Sequence, residues 1–78
     1  MTKLAIISPG DMECLLKHLG FGRKRQLGSH IFYGHSDGRC TTIPFHQGED
    51  LGRGLIRKIL RDIKLNPEDY ERLRQNYL

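Results

Sequence analysis

An Asp37-Gly38 pair set between two β-rich runs constrains this chain more than any other feature. His30-Ile-Phe-Tyr-Gly-His-Ser precedes the pair and Arg39-Cys-Thr-Thr-Ile-Pro-Phe follows it. β-Branched and aromatic residues favour strands, and Asp-Gly is a pair that tight hairpins prefer. A two-residue turn pairs Ser36 with Arg39. That register sets Phe32 opposite Ile43 and His30 near Phe45 on one face, with Ile31, Tyr33 and His35 on the other. Apolar residues fall on both faces, so alternation does not settle which face meets the rest of the molecule.

Before the hairpin, Ser8-Pro9-Gly10-Asp11 carries the marks of a helix start. Ser8 serves as N-cap, Pro9 suits the first helical position, and Asp11 can reach back to the cap. Met12, Leu15, Leu16 and Leu19 then trace one apolar stripe, and Gly20 supplies the left-handed residue that ends a helix. From Phe21 to Leu27, alternation puts Phe21, Arg23, Arg25 and Leu27 on one side of a basic strand that has little to bury.

Beyond the hairpin, His46 to Gly48 read as a loop. Leu51, Leu55, Ile56, Ile59, Leu60 and Ile63 follow as the buried face of a second helix, with Arg53, Arg57, Arg61 and Lys64 grouped on the opposite side. Asn66-Pro67 restarts a short third helix capped by Asn66, acidic at Glu68 and Asp69, and packed through Tyr70, Leu73 and Tyr77. The order α, β, β, β, α and a short α predicts an α+β fold of two layers, its helices on one face of a three-stranded antiparallel sheet. Residues 1–78 are expected to form a single domain, since a chain of this length supports one core and no deep enclosed pocket.

Charge narrows the function. The 13 Lys and Arg outnumber the 9 Asp and Glu, and the isoelectric point near 9.4 favours a polyanionic partner. The excess is local: residues 21–65 carry a net charge of +5 and the flanks −1. Apolar runs such as Leu4 to Ile7 fall far short of the ~20 residues of a membrane span. No secretory leader is evident, so Cys14 and Cys40 are expected to be reduced thiols in a cytoplasmic protein.

The four histidines are the groups that titrate near neutral pH and are the first place to seek acid–base chemistry. His18 lies off the apolar stripe and reads as solvated; His35 and His46 sit near turns. His30 follows the flexible Gly28-Ser29 pair and starts a strand with a titratable ring. A zinc site built on His35, Cys40 and His46 lacks the paired spacing of structural sites. Cys14 reads as a small core residue. Gly52-Arg53-Gly54 fits neither the Walker nor the dinucleotide pattern. The stripe Arg53, Arg57, Arg61 and Lys64 matches the way phosphates are met by cations repeated along one helix face, and a solvated charged face has the same pattern.

Gln26-Leu27-Gly28-Ser29-His30, then Asp37-Gly38-Arg39, then Thr42-Ile43-Pro44 with His46, resemble the HicA toxins, whose usual pattern has Arg-Gln-x-Gly-Ser-His. The likeness continues through Asp50-Leu51, Gly54, Arg57 and Ile59-Leu60 to the acidic third helix. Three positions depart from the family pattern: Leu55 replaces a common Thr, Glu49 a common Lys, and Ile31 follows the histidine. The resemblance implies a fold like the double-stranded-RNA-binding domain and an endoribonuclease that cleaves mRNA. It also implies neutralisation by a HicB-like antitoxin encoded beside the toxin, and it places the catalytic histidine at His30.

RNA carries its own nucleophile, the 2′-hydroxyl, so one histidine and several cations suffice for a minimal ribonuclease without metal or other cofactor. His30 either accepts the 2′-OH proton or protonates the leaving 5′-oxygen. Arg23, Lys24, Arg25, Ser29, Arg53, Arg57, Arg61 and Lys64 are the candidate RNA contacts. The second proton-transfer group is open among Ser29, His35, His46 and water. Two further readings are a non-catalytic RNA-binding module of the same fold and a domain whose basic face meets an acidic protein.

Overall fold

A computed structural model describes residues 4–78. The chain runs through α1 (Pro9–His18), β1 (Gly22–Leu27), β2 (His30–Gly34), β3 (Cys40–Pro44), α2 (Arg53–Ile63) and α3 (Pro67–Tyr77). The strands form one antiparallel sheet in the order β1-β2-β3. This is the expected α+β arrangement, similar in layout to the double-stranded-RNA-binding domain. α3 is not short: with 11 residues it equals α2.

The caps form as their residue types predict. Ser8 Oγ accepts from the Asp11 N–H at 3.1 Å, and Asn66 Oδ1 from the Asp69 N–H at 2.8 Å. Gly20, at φ 93°, turns the chain out of α1 toward β1. α2 begins at Arg53, so Leu51 lies before it; Leu51 is buried because its N–H bonds to the Ile7 carbonyl at 2.9 Å. At the other end Lys64 adopts φ 57°, a left-handed conformation usually given to glycine, and the Leu65 N–H closes onto the Leu60 carbonyl.

The hairpin register differs from the expected one by a single residue. His35 N–H bonds to the Arg39 carbonyl at 2.9 Å, leaving a three-residue loop of Ser36, Asp37 and Gly38, with Gly38 at φ 98°. Ile31 therefore faces Ile43, Phe32 faces Thr42, and His30 faces Pro44. The slip moves Ile43 to the face of Ile31 and Tyr33, and all three are buried against the helices. His30, Phe32 and Pro44 are left on the open face.

A second irregularity separates two arginines expected on one side. Arg23 pairs with Tyr33 and Arg25 with Phe32, so Lys24 is an extra residue, a bulge. Arg23 turns toward the helices and Arg25 toward the open face. Phe21 also departs from the expected bare strand: it is 3% exposed, and it sits just ahead of β1 in the core. That core joins Met12, Leu15 and Leu16 of α1, Ile56, Ile59, Leu60 and Ile63 of α2, and Tyr70 of α3 to the covered sheet face. Side chains of this size contribute roughly 1.5–3 kcal/mol each on full burial.

Candidate functional site

His30 opens β2 directly after the Gly28-Ser29 turn. Gly28 has φ 58° and Ser29 does not have a positive φ, the pattern of a type II′ turn that needs glycine first. The His30 side chain is exposed, flanked across the sheet by Leu27 on one strand and Pro44 on the other. The Phe45 N–H bonds to the Ser29 carbonyl at 2.6 Å, which carries strand pairing one step past Pro44. His46 is thereby delivered to the same end and face as His30. Their ring centres lie 6.4 Å apart with planes at 82°. Neither ring hydrogen-bonds to a described residue.

The surface around the pair is part apolar, part cationic. Leu27 is 58% exposed, Phe32 and Pro44 are half-buried, and the Arg25 guanidinium lies 4.8 Å over the Phe32 ring. Lys24 packs along Gly34, where a Cβ would come within 2.7 Å of the Lys24 Cε. A loop of Phe45 to Asp50 beside the α1 start at Ser8 and Pro9 walls a shallow cleft next to His46.

Arg23 has a different setting. Its Nε and Nη2 each donate to a Glu13 carboxylate oxygen at 2.7 Å, and Lys17 approaches the same carboxylate at 3.2 Å. Glu13 is buried on α1. The Arg23 bonds hold its carboxyl down at about 2, against the penalty of burial. Tyr33 lies beneath; its hydroxyl is buried without a well-formed hydrogen bond. Burial and the neighbouring Glu13 carboxylate push its ionisation well above the usual phenol value. Sequence periodicity does not flag Glu13; the only local signal is Lys17 one helical turn on.

The α2 cations lie elsewhere. Arg53 Nε donates to the Leu4 carbonyl at 2.9 Å. Arg57 and Arg61 are exposed on α2, beside Leu4, Leu65 and Pro67, with no carboxylate partner among the described residues. Lys64 lies beyond the helix, beside the β2–β3 loop. The helices pack on the covered face of the sheet, away from its open face. The candidate contacts therefore fall into two groups, with Lys24, Arg25, Ser29 and His30 on the sheet and Arg53, Arg57, Arg61 and Lys64 on the helix.

The remaining candidates are spread apart. His35 stands at the far end of β2, its Nδ1 accepting from the Asp37 N–H at 3.1 Å and its ring edge-on to Phe21 at 5.1 Å. His18 is stacked on Tyr77 at 3.8 Å between ring centres, a contact that α1 periodicity alone does not reveal. Arg39 bonds to Asp37, keeping that carboxyl below its usual range, and to the Ile63 carbonyl at 2.6 Å, which closes the end of α2. Both cysteines are free thiols, Cys14 half-buried and Cys40 exposed. Among the described residues no three His, Cys, Asp or Glu side chains converge as metal ligands.

Residues 10–65 match the model of the family described as the HicA toxin of bacterial toxin-antitoxin systems. The chain belongs to the HicA toxin family. The span matched to HicA runs from α1 to the close of α2 and contains both the His30–His46 pair and the Glu13–Arg23 pair. α3 lies outside it. No curated protein matches the chain. Among the described residues no helix is long and apolar enough to cross a membrane.

Proposed function

We propose that this HicA-family chain is a metal-independent endoribonuclease that cleaves mRNA, with residues 1–78 acting as one domain and His30 as the catalytic group. The observation that carries the reading is the placement of His30: an imidazole, exposed and without a hydrogen-bond partner among the described residues, at a strand end beside an apolar and cationic surface. Leu27, Phe32 and Pro44 give a base or ribose something to lie against. Arg25, Lys24 and the polar Ser29 meet the phosphates on either side.

The substrate brings its own nucleophile. Once the backbone is held in line, the 2′-oxygen attacks phosphorus, and the enzyme has to move protons and balance charge on the phosphate. His30 performs one of those proton transfers. Arg23 contributes only Nη1, because Nε and Nη2 are given to Glu13. Arg53, Arg57, Arg61 and Lys64 engage flanking phosphates where the chain of RNA passes round to the helical face. A HicB-like antitoxin neutralises the protein in the cytoplasm by occupying these surfaces.

The test is cleavage of a defined transcript by purified wild type and His30→Ala in EDTA, with end-group analysis and growth of a bacterial host expressing each. Wild type should arrest growth and leave 2′,3′-cyclic phosphate ends, and the variant should do neither. Products with 5′-phosphate ends, or dependence on a divalent metal, would refute the scheme. RNA binding by both proteins with no cleavage by either would assign the chain as a binding module.

A further inference from the structure

We infer that His46 is the second proton-transfer group, so that the reaction is divided between two imidazoles instead of resting on His30 alone. The inference rests on the ribonuclease reading of His30. Three observations place His46 there. The Phe45–Ser29 bond joins the backbone just before His46 to the backbone just before His30, so the two rings are set by one local pairing. The Glu49 N–H bonds to the His46 carbonyl at 3.1 Å, and Gly48 has φ 77°, so His46 begins a hydrogen-bonded turn. The ring centres stand 6.4 Å apart, and His46, like His30, is exposed.

In-line transesterification needs two groups on opposite sides of phosphorus. The 2′-O–H proton passes to one neutral imidazole as the 2′-oxygen bonds to phosphorus. The P–O5′ bond breaks with its electron pair on O5′, which takes a proton from the other ring as imidazolium. The products are a 2′,3′-cyclic phosphate and a 5′-hydroxyl, and the pair ends with its single proton exchanged between rings. Ring centres 6.4 Å apart are close enough for one phosphate to bridge the two imidazoles, with one apical oxygen toward each. The other candidates do not meet this requirement. His35 is at the opposite end of β2 with Nδ1 already engaged. Ser29 has no ionisation near neutral pH. Charged groups near this end among the described residues are Arg25 on the sheet, Arg23, whose guanidinium is 5.9 Å from the Phe45 ring centre, and Glu49 and Asp50 on the loop after His46.

The experiment is single-turnover cleavage in EDTA by wild type, His30→Ala, His46→Ala and His46→Gln. Each is tested on ordinary RNA and on RNA whose scissile 5′-oxygen is replaced by sulfur, which leaves as thiolate without a proton. Both His46 variants should cleave ordinary RNA at least about 10²-fold more slowly, while their melting curves and RNA affinity match wild type. One of the two alanine variants, the one lacking the general acid, should regain near wild-type rate on the sulfur substrate, and the other should not. Cleavage by His46→Ala within about threefold of wild type, with His30→Ala inactive, would overturn the inference and leave the ribonuclease reading standing. Failure of sulfur to restore either variant would likewise overturn it. No cleavage by wild type would remove the ribonuclease reading and this inference together.

Discussion

On the covered side of the sheet, Glu13 is 7% exposed and spends both carboxylate oxygens on Arg23. On the open side, His30 and His46 stand in solvent, 6.4 Å apart and without hydrogen bonds to described residues. Arg23 lies on β1 and His30 on the neighbouring β2, yet ionisable groups serve the fold in one cluster and remain available in the other. What divides them is the direction in which the backbone delivers each side chain. The Lys24 bulge turns Arg23 inward, and alternation along β2 with the buried Ile31 and Tyr33 turns His30 outward. Residue type alone does not separate a structural charge from a chemical one.

The sharpest way to break this comparison is to remove one member of each cluster. His30→Ala should lower cleavage by about 10²–10⁴-fold with the melting temperature unchanged. Glu13→Ala should instead cost about 2 kcal/mol of stability in urea unfolding, less than the ~3–5 of a fully buried pair because water reaches Arg23 and screens it. A Glu13 variant that cleaves poorly while melting normally would show that the inner cluster is part of the chemistry.

Acid unfolding tests the same pair by another route. The Glu13 carboxyl is held at about 2 in the fold, against 4.5 ordinarily. A depressed carboxyl stabilises the folded state above the unfolded value and loses that stabilisation as pH falls through the folded one. Stability should therefore drop between pH 4.5 and about 2, and Glu13→Gln should flatten that part of the curve. Equal acid profiles for wild type and variant would exclude Glu13 as the source.

The α2 cations sharpen the comparison from outside. Arg57→Ala should reduce the slope of log affinity against log salt by about 1 and weaken binding to all RNA sequences alike, measured by fluorescence titration at several salt concentrations. Lys64→Gly should have the smallest effect. It relieves a left-handed residue and should raise stability by up to about 1 kcal/mol, with a loss of RNA affinity below that of Arg57→Ala.

Much of this fold is legible in the sequence because its signals are local. Ser8, Asn66 and Gly20 act on neighbours within a helical turn, and the apolar spacing of α1 and α2 reports their buried faces directly. The hairpin is legible as a hairpin but not in register, because Asp-Gly fits both a two-residue turn and a three-residue loop with glycine left-handed. One residue of slip then moves Ile43 from the face of His30 and Phe32 to that of Ile31 and Tyr33. His30 is legible through the family motif. His46 stands in the same motif, but its approach to His30 is hidden, since it depends on a bond between Phe45 and Ser29, sixteen residues apart in the chain. Glu13 is hidden for the same reason: its partner Arg23 comes from another element.

The bond from the Tyr70 hydroxyl to the Ala5 carbonyl spans 65 residues. α3 carries that tyrosine and lies outside the HicA match. On the ribosome, Ala5 emerges early and Tyr70 only after α1, the sheet and α2 have been made. The segment ahead of α1 therefore stays without this anchor until α3 has been made. The residues that lead into α1 are thus tied down by a helix that the family match does not include.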